Sequence, residues 1–252
     1  MKEEKEALPQ EGSEYMQKQT EPYFIFKGKK STDMGLLLSS LPAVTKPKRK
    51  TNKISIPGRN GTETEDLGIY EGYTISIGCG FENIHEVDID RLWRWLDGKG
   101  NLILSTEPSK QYNARLDGSI SMTDVYWITA DFLLQFDVEP FKYAVNPQND
   151  FVEMTKKEMT LYNRGTYIAE PVITLYGSGT VSIAINGTEY SCSGVSGFVT
   201  IDSTSSMVYK EGENKNSNYQ SRAFPILDMG ENKISISSGV TKAEIIPNWR
   251  WI

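Results

Sequence analysis

Two long runs of alternating apolar and polar residues organise the first half of the chain. In one, Tyr73, Ile75, Ile77, Cys79 and Phe81 alternate with Thr74, Ser76, Gly78 and Gly80. In the other, Tyr126, Ile128, Ala130, Phe132, Leu134, Phe136 and Val138 share one face. A period of two puts one side of a strand on a core and the other side elsewhere, so both runs are predicted as strands of one sheet. Between them lies a single helix signal. Ile89, Leu92, Trp93 and Leu96 fall on one stripe, Asp88 stands where a cap belongs, and Gly98 stands where a helix ends. Residues 23–26, 101–105 and 112–116 read as shorter strands.

Pro140 and Pro147, with polar neighbours, interrupt this pattern over 140–150 and mark a domain boundary. Beyond it, short strands follow one another with no helix between: 172–176, then Val181, Ile183 and Ile185, then 198–201, 207–209, 234–236 and 244–246. Gly177-Ser-Gly179 reads as a hairpin turn between the first two, and Asn186-Gly187 as the next turn. The fold class expected is mainly β. An N-terminal sheet or sandwich with one packed helix occupies 22–145, and a C-terminal β-sandwich of jelly-roll type occupies 146–252. Residues 1–21, charged and rich in Gln, read as a flexible extension.

One stretch belongs to neither core. From Pro42 to Thr62 the chain has no acidic residue, and it carries Lys46, Lys48, Arg49, Lys50, Lys53 and Arg59. Pro42, Pro47 and Pro57 resist a regular helix, Ile54 and Ile56 alternate, and Asn60-Gly61 signals a tight turn. The expectation is an extended hairpin arm over about 42–62. Its charge would suit phosphate or DNA, but a net charge of -6 speaks against nucleic-acid binding by the whole chain. An extended arm outside a core reaches something, and a neighbouring subunit is the economical candidate. The contact residues expected are Lys46, Lys48, Arg49, Lys50, Ile54, Ile56 and Arg59.

Little in the sequence points to chemistry. A His-centred triad or a His-rich metal site would rest on His85 alone, which reads as a surface loop residue. Cys79 and Cys192 lack CxxC spacing and read as reduced thiols. Asp88 and Asp90 pair as carboxylates do in glycosidases, but a helix start explains them through its dipole. Gly177-Ser-Gly179 joins strands and offers no helix N-terminus to a phosphate. No nucleophile motif is present, so the expectation is a non-enzyme without cofactor or metal. The start, Met1-Lys-Glu-Glu-Lys-Glu6, lacks the apolar region of a secretory signal, and Leu36-Leu-Leu38 is too short to cross a bilayer. Folding in a cytoplasm without membrane insertion is expected. The aromatic end Trp249-Arg-Trp251 reads as core packing and strand closure, with a sugar-stacking face on Trp249 and Trp251 as the alternative.

A series of short motifs then runs through the chain in order. Phe24-Ile-Phe-Lys-Gly28, Asp33-Met-Gly35, Lys46-Pro-Lys-Arg49 and Ile56-Pro-Gly-Arg-Asn-Gly61 come first. Leu92-Trp-Arg-Trp-Leu96, Leu102-Ile-Leu104, Glu107-Pro108 and Glu139-Pro-Phe141 follow. The second half adds Asn163-Arg-Gly-Thr166, Glu170-Pro-Val-Ile-Thr-Leu-Tyr-Gly-Ser-Gly179, Ile185-Asn-Gly187, Ile201-Asp-Ser203, Phe224-Pro225, Gly230-Glu-Asn232 and Ile246-Pro-Asn-Trp-Arg250. With these, the chain from about Tyr23 onward resembles the distal tail proteins (Dit) of long-tailed, non-contractile phages and prophages, especially those of Gram-positive hosts.

The resemblance implies a structural subunit of the virion, at the phage tail tip, assembled in the host cytoplasm. Its N-terminal domain would form a homo-hexameric ring around the tail channel. The arm, around Lys46 to Gly61, would embrace the next subunit, and a galectin-like C-terminal sandwich would project as a docking platform. The partners implied are the tail tube protein, the tape-measure protein, the baseplate hub or tail-associated lysin, and receptor-binding proteins, with no specific nucleic acid. The alternative function is a carbohydrate-binding adhesion module acting through the C-terminal sandwich.

Overall fold

The computed structural model describes residues 21–40, 43, 45–82, 86–121, 123–125 and 129–252. The expectations placed on the N-terminal extension through residue 20, on His85, and on Tyr126 and Ile128 lie outside the described residues.

The first half contributes β1 (Phe24–Phe26), β2 (Lys29–Lys30), β3 (Leu36–Leu38), β4 (Arg49–Ser55), β5 (Thr62–Tyr70), β6 (Tyr73–Glu82), α1 (Glu86–Leu96), β7 (Gly98–Leu104), β8 (Lys110–Leu116), β9 (Thr123–Val125) and β10 (Thr129–Ala144). The two alternating runs are direct antiparallel partners: Ile75 faces Phe136, Ile77 faces Leu134, and Cys79 faces Phe132 across β6 and β10. The sheet runs β2-β1-β7-β8-β10-β6-β3, with β9 also on β10. Its inner face buries Phe24, Phe26, Leu102, Leu134 and Phe136 against Leu92, Trp95 and Leu96 of α1.

Two details of this half depart from the sequence reading. The helix begins at Glu86, so Asp88 falls in its first turn instead of at its cap. Trp95, outside the predicted stripe, is buried, stacks on Phe24 at 5.7 Å, and donates from Nε1 to the Phe26 carbonyl at 2.8 Å. Trp93 and Ile89 pack at the rim of the core. Pro140 does not end the pattern either: β10 continues through it to Ala144. A register shift between Val138 and Lys142 accommodates the proline, because a bulge removes the need for its missing N–H.

The second half contributes β11 (Val152–Met154), β12 (Glu158–Asn163), β13 (Val172–Ile185), β14 (Thr188–Asp202), β15 (Met207–Lys210), β16 (Glu213–Asn214), β17 (Gly230–Ile236), β18 (Val240–Ile246) and β19 (Arg250–Trp251). β13 and β14 form one long hairpin closed by Asn186 and Gly187, both at positive φ. Gly177-Ser-Gly179 is therefore no hairpin turn; the strand runs straight through it, with a bulge between Gly179 and Val181. The glycines have another purpose there. A Cβ on Gly177 would run into the Gly239 carbonyl, so the bare backbone lets the turn before β18 cross closely. β13 pairs with β18 along Val172–Gly177 and with β17 along Ile183–Ile185. The sheet thus curls around a core of Ile173, Leu175, Val181, Ile183, Ile201 and Ile245.

β19 does not stay in this half. It adds to the first sheet, where Trp251 pairs with Lys142 and Arg250 with Tyr143 on β10.

Candidate functional site

β4 and β5 pair only with each other, as a two-stranded sheet apart from both cores. Every residue of β4 and all of β5 up to Ile69 are exposed. The ribbon, Arg49 to Tyr70, lies further along the chain than the 42–62 expected from sequence, because the acidic segment Thr62–Tyr70 supplies its second strand. A two-stranded ribbon is marginal in water on its own. This one also leaves Ile54 (44% exposed), Ile56 (38%), Leu67 (44%) and Ile69 (53%) in solvent. Leu67 and Ile69 flank Gly68, which has positive φ at a register shift in the ribbon, and Ile56 lies just past the end of β4.

The charges divide by strand. β4 carries Arg49, Lys50 and Lys53 without an acid, whereas β5 carries Glu63, Glu65 and Asp66 without a base. The ribbon therefore has one positive and one negative edge, where the sequence reading saw only the basic stretch. Arg49 pairs with Asp66, Arg59 with Glu63 at 3.8 Å, and Lys48 with Glu71 at 3.8 Å. Such exposed pairs contribute little to stability. The Gly68 N–H and then Arg49 hold the Asp66 carboxyl below its ordinary range. Of the predicted contact cations, Lys46 and Lys50 have no ion-pair partner among the described residues.

The root of the ribbon meets the junction between the two halves. Arg49 Nε donates to the Tyr70 hydroxyl at 3.2 Å. The Tyr70 ring stands edge-on to Phe141 (5.9 Å) and to Tyr167 (5.7 Å), which stack on each other at 4.5 Å. The Arg250 guanidinium lies 5.0 Å from the Phe141 ring and 5.5 Å from that of Tyr167. Arg250 is only 7% exposed, so its charge needs partners: it binds Glu170 at 3.1 Å and donates from Nε to the Ile168 carbonyl at 2.7 Å.

Sequence reasoning missed Tyr70, Phe141, Tyr167 and Arg250 as a group. Only Phe141 lies at the interruption taken for a boundary, and nothing in linear spacing joins 70 to 250. Trp249 is 2% exposed and belongs to the second core, so its ring has no face to offer a sugar. Trp251 is half-covered, with Lys110 Nζ 5.5 Å over its ring. Cys79 and Cys192 are free and buried, and burial pushes their thiols up to about 12 and about 11, so neither is a thiolate at neutral pH. Among the described residues no group of His, Cys, Asp or Glu is arranged to hold a metal ion.

No protein-family model and no curated protein matches the chain. Among solved structures, it is similar to the crystal structure of SPP1 Dit (gp 19.1), described as a paradigm of the hub adsorption apparatus in phages infecting Gram-positive bacteria. The TM-score is 0.74 at 14% identity, over 92% of this chain and 99% of the other. The chain has the Dit fold. Because the match spans nearly all of both chains, it covers both halves of the Dit fold and the order in which they are joined, not one common sandwich alone.

Proposed function

We propose that the chain is a structural subunit of a phage tail tip, which assembles as a hexameric ring and joins the tail tube to the baseplate hub and adsorption apparatus. The exposed ribbon carries this reading. A Dit-fold chain that leaves four large aliphatic side chains on an unsupported two-stranded arm is incomplete as a monomer. A closed ring repeats one heterologous contact by rotation, so each copy needs two different complementary surfaces. A ribbon with two free strand edges of opposite charge supplies one of them, through strand addition and burial of Ile54, Ile56, Leu67 and Ile69. Stable contacts bury about 1,200–2,000 Å² in total, an area that an arm reaching across a neighbour can provide.

The partners that follow are the tail tube, tape-measure and hub proteins on the ring axis and receptor-binding proteins outside it. The place of action is the virion, after assembly in the host cytoplasm. Native mass spectrometry of the purified chain tests the proposal. A hexamer weighs about 170 kDa, built from copies of 28.4 kDa, and negative staining shows it as a ring. Arg49→Glu combined with Arg59→Glu is expected to abolish that species. An intact ring in the double variant removes the arm from the contact.

A further inference from the structure

We infer that Tyr70 fixes the direction of the arm by clamping its root onto the junction of the two halves, so that the C-terminal strand holds the arm as well as the halves. The inference concerns the single chain and stands whether or not the chain forms a ring.

Along its length the ribbon has no support from either core, so its direction is decided where it leaves the body. Two backbone segments connect it there, and Glu71 N–H donates to the Lys48 carbonyl at 2.9 Å between them. That bond closes the ribbon's base without fixing its tilt. Arg49 binds Asp66 and Tyr70, both in β5, so it stiffens the ribbon internally. Tyr70 is different. Its ring reaches Phe141 on β10 of the first half and Tyr167 between β12 and β13 of the second half, at interplanar angles of 72° and 87°. A swing of the arm must break both edge contacts, whose geometry is the favoured one for aromatic pairs.

The platform under Tyr70 is itself assembled from distant segments. Phe141 sits at the bulge of β10, and Tyr167 hydrogen-bonds from its N–H to the Arg250 carbonyl at 3.3 Å. Arg250 lies beside the stack, nearly equidistant from both rings, and is pinned by Glu170, Ile168 and the pairing of β19 on β10. Removing the Arg250 side chain therefore takes away the one charged group that lies against both rings of that stack, and the arm's footing loosens although nothing in the arm has changed. Through the same contacts, a shift between the two halves would be passed to the arm.

Pulsed electron-spin distance measurement on the dilute full chain tests this, with labels on Asn60→Cys at the arm tip and Glu189→Cys in the second half. The buried Cys79 and Cys192 stay unlabelled. The parent chain is expected to give a narrow distribution. Tyr70→Ala broadens it roughly twofold, as befits a two-stranded ribbon without support. Arg250→Ala broadens it as well, while Tyr70→Phe, which keeps the ring, leaves it narrow. Control pairs on Glu158→Cys with Glu189→Cys and on Lys99→Cys with Glu189→Cys stay narrow throughout and separate a loose arm from an unfolded chain and from loosened halves. Should Arg250→Ala fail either control, Glu170→Gln replaces it by removing only the ion pair. A parent distribution as broad as that of Tyr70→Ala overturns the anchor. Broadening by Tyr70→Ala but not by the Arg250 or Glu170 variant overturns the link to the C-terminal strand.

Discussion

Single residues fall into those that alternation exposes and those that only tertiary contact explains. Phe136 is of the first kind. Its ring meets Phe24 at 5.7 Å and Phe26 at 5.1 Å, fully buried, and Phe136→Ala is expected to cost about 3–5 kcal/mol in a urea titration. Trp95 lies three residues from Leu92, a spacing that marks the same helix face, yet the stripe through Trp93 drew the reading away from it. Glu107 belongs wholly to the second kind. Burial raises its carboxyl, but hydrogen bonds from Lys110, Lys142 and Tyr112 outweigh that and hold it below the ordinary 4.5. A carboxylate lowered in the folded state stabilises at pH above its unfolded value, and that stability is lost as pH falls through the folded value. Acid unfolding of Glu107→Gln is therefore expected to be flatter than that of the parent below about pH 4.5. An equal slope in both would assign the acid sensitivity elsewhere. Gly165 is a third case: a Cβ there would run into the backbone of Arg250, so Gly165→Ala is expected to displace β19 and lower the melting temperature.

Elements were legible in proportion to how plainly they alternate. β6, β10 and α1 stood out because each buries one face against a core, and the turn at Asn186-Gly187 carries its own chemistry. The second strand of the arm did not, since Thr62–Tyr70 is polar and acidic until Leu67 and is exposed up to Ile69. The length of β14 was hidden too: its first part, 188–197, is rich in Ser and Gly and owes its pairing to β13. The arm invites a test that spares its ion pairs. Ile54→Ser with Ile69→Ser should shift the stability of the isolated chain by no more than about 0.5 kcal/mol, as exposed positions do. The same pair of changes is expected to abolish the hexamer by native mass spectrometry. A stable hexamer in the variant would mean that the four aliphatic side chains serve some other contact.

At the scale of the whole molecule, a 14% identity with SPP1 Dit coexists with a shared course over nearly the full length of both chains. In this chain that course consists of one sheet with a packed helix, a protruding ribbon, and a curled second sheet. The mainly β character could be read from sequence, but the link that β19 makes could not, because two-residue β19 is too short to signal itself and its partner lies in the other half. That link has a consequence in time. Trp251 pairs with Lys142 across roughly a hundred residues of sequence, a separation that makes closure late. On the ribosome, the first half emerges and can fold while the strand that completes its sheet is still untranslated. Tyr70 then has Phe141 but neither Tyr167 nor the Arg250 side chain beside them. A nascent chain would therefore hold its arm loosely until synthesis passes residue 251.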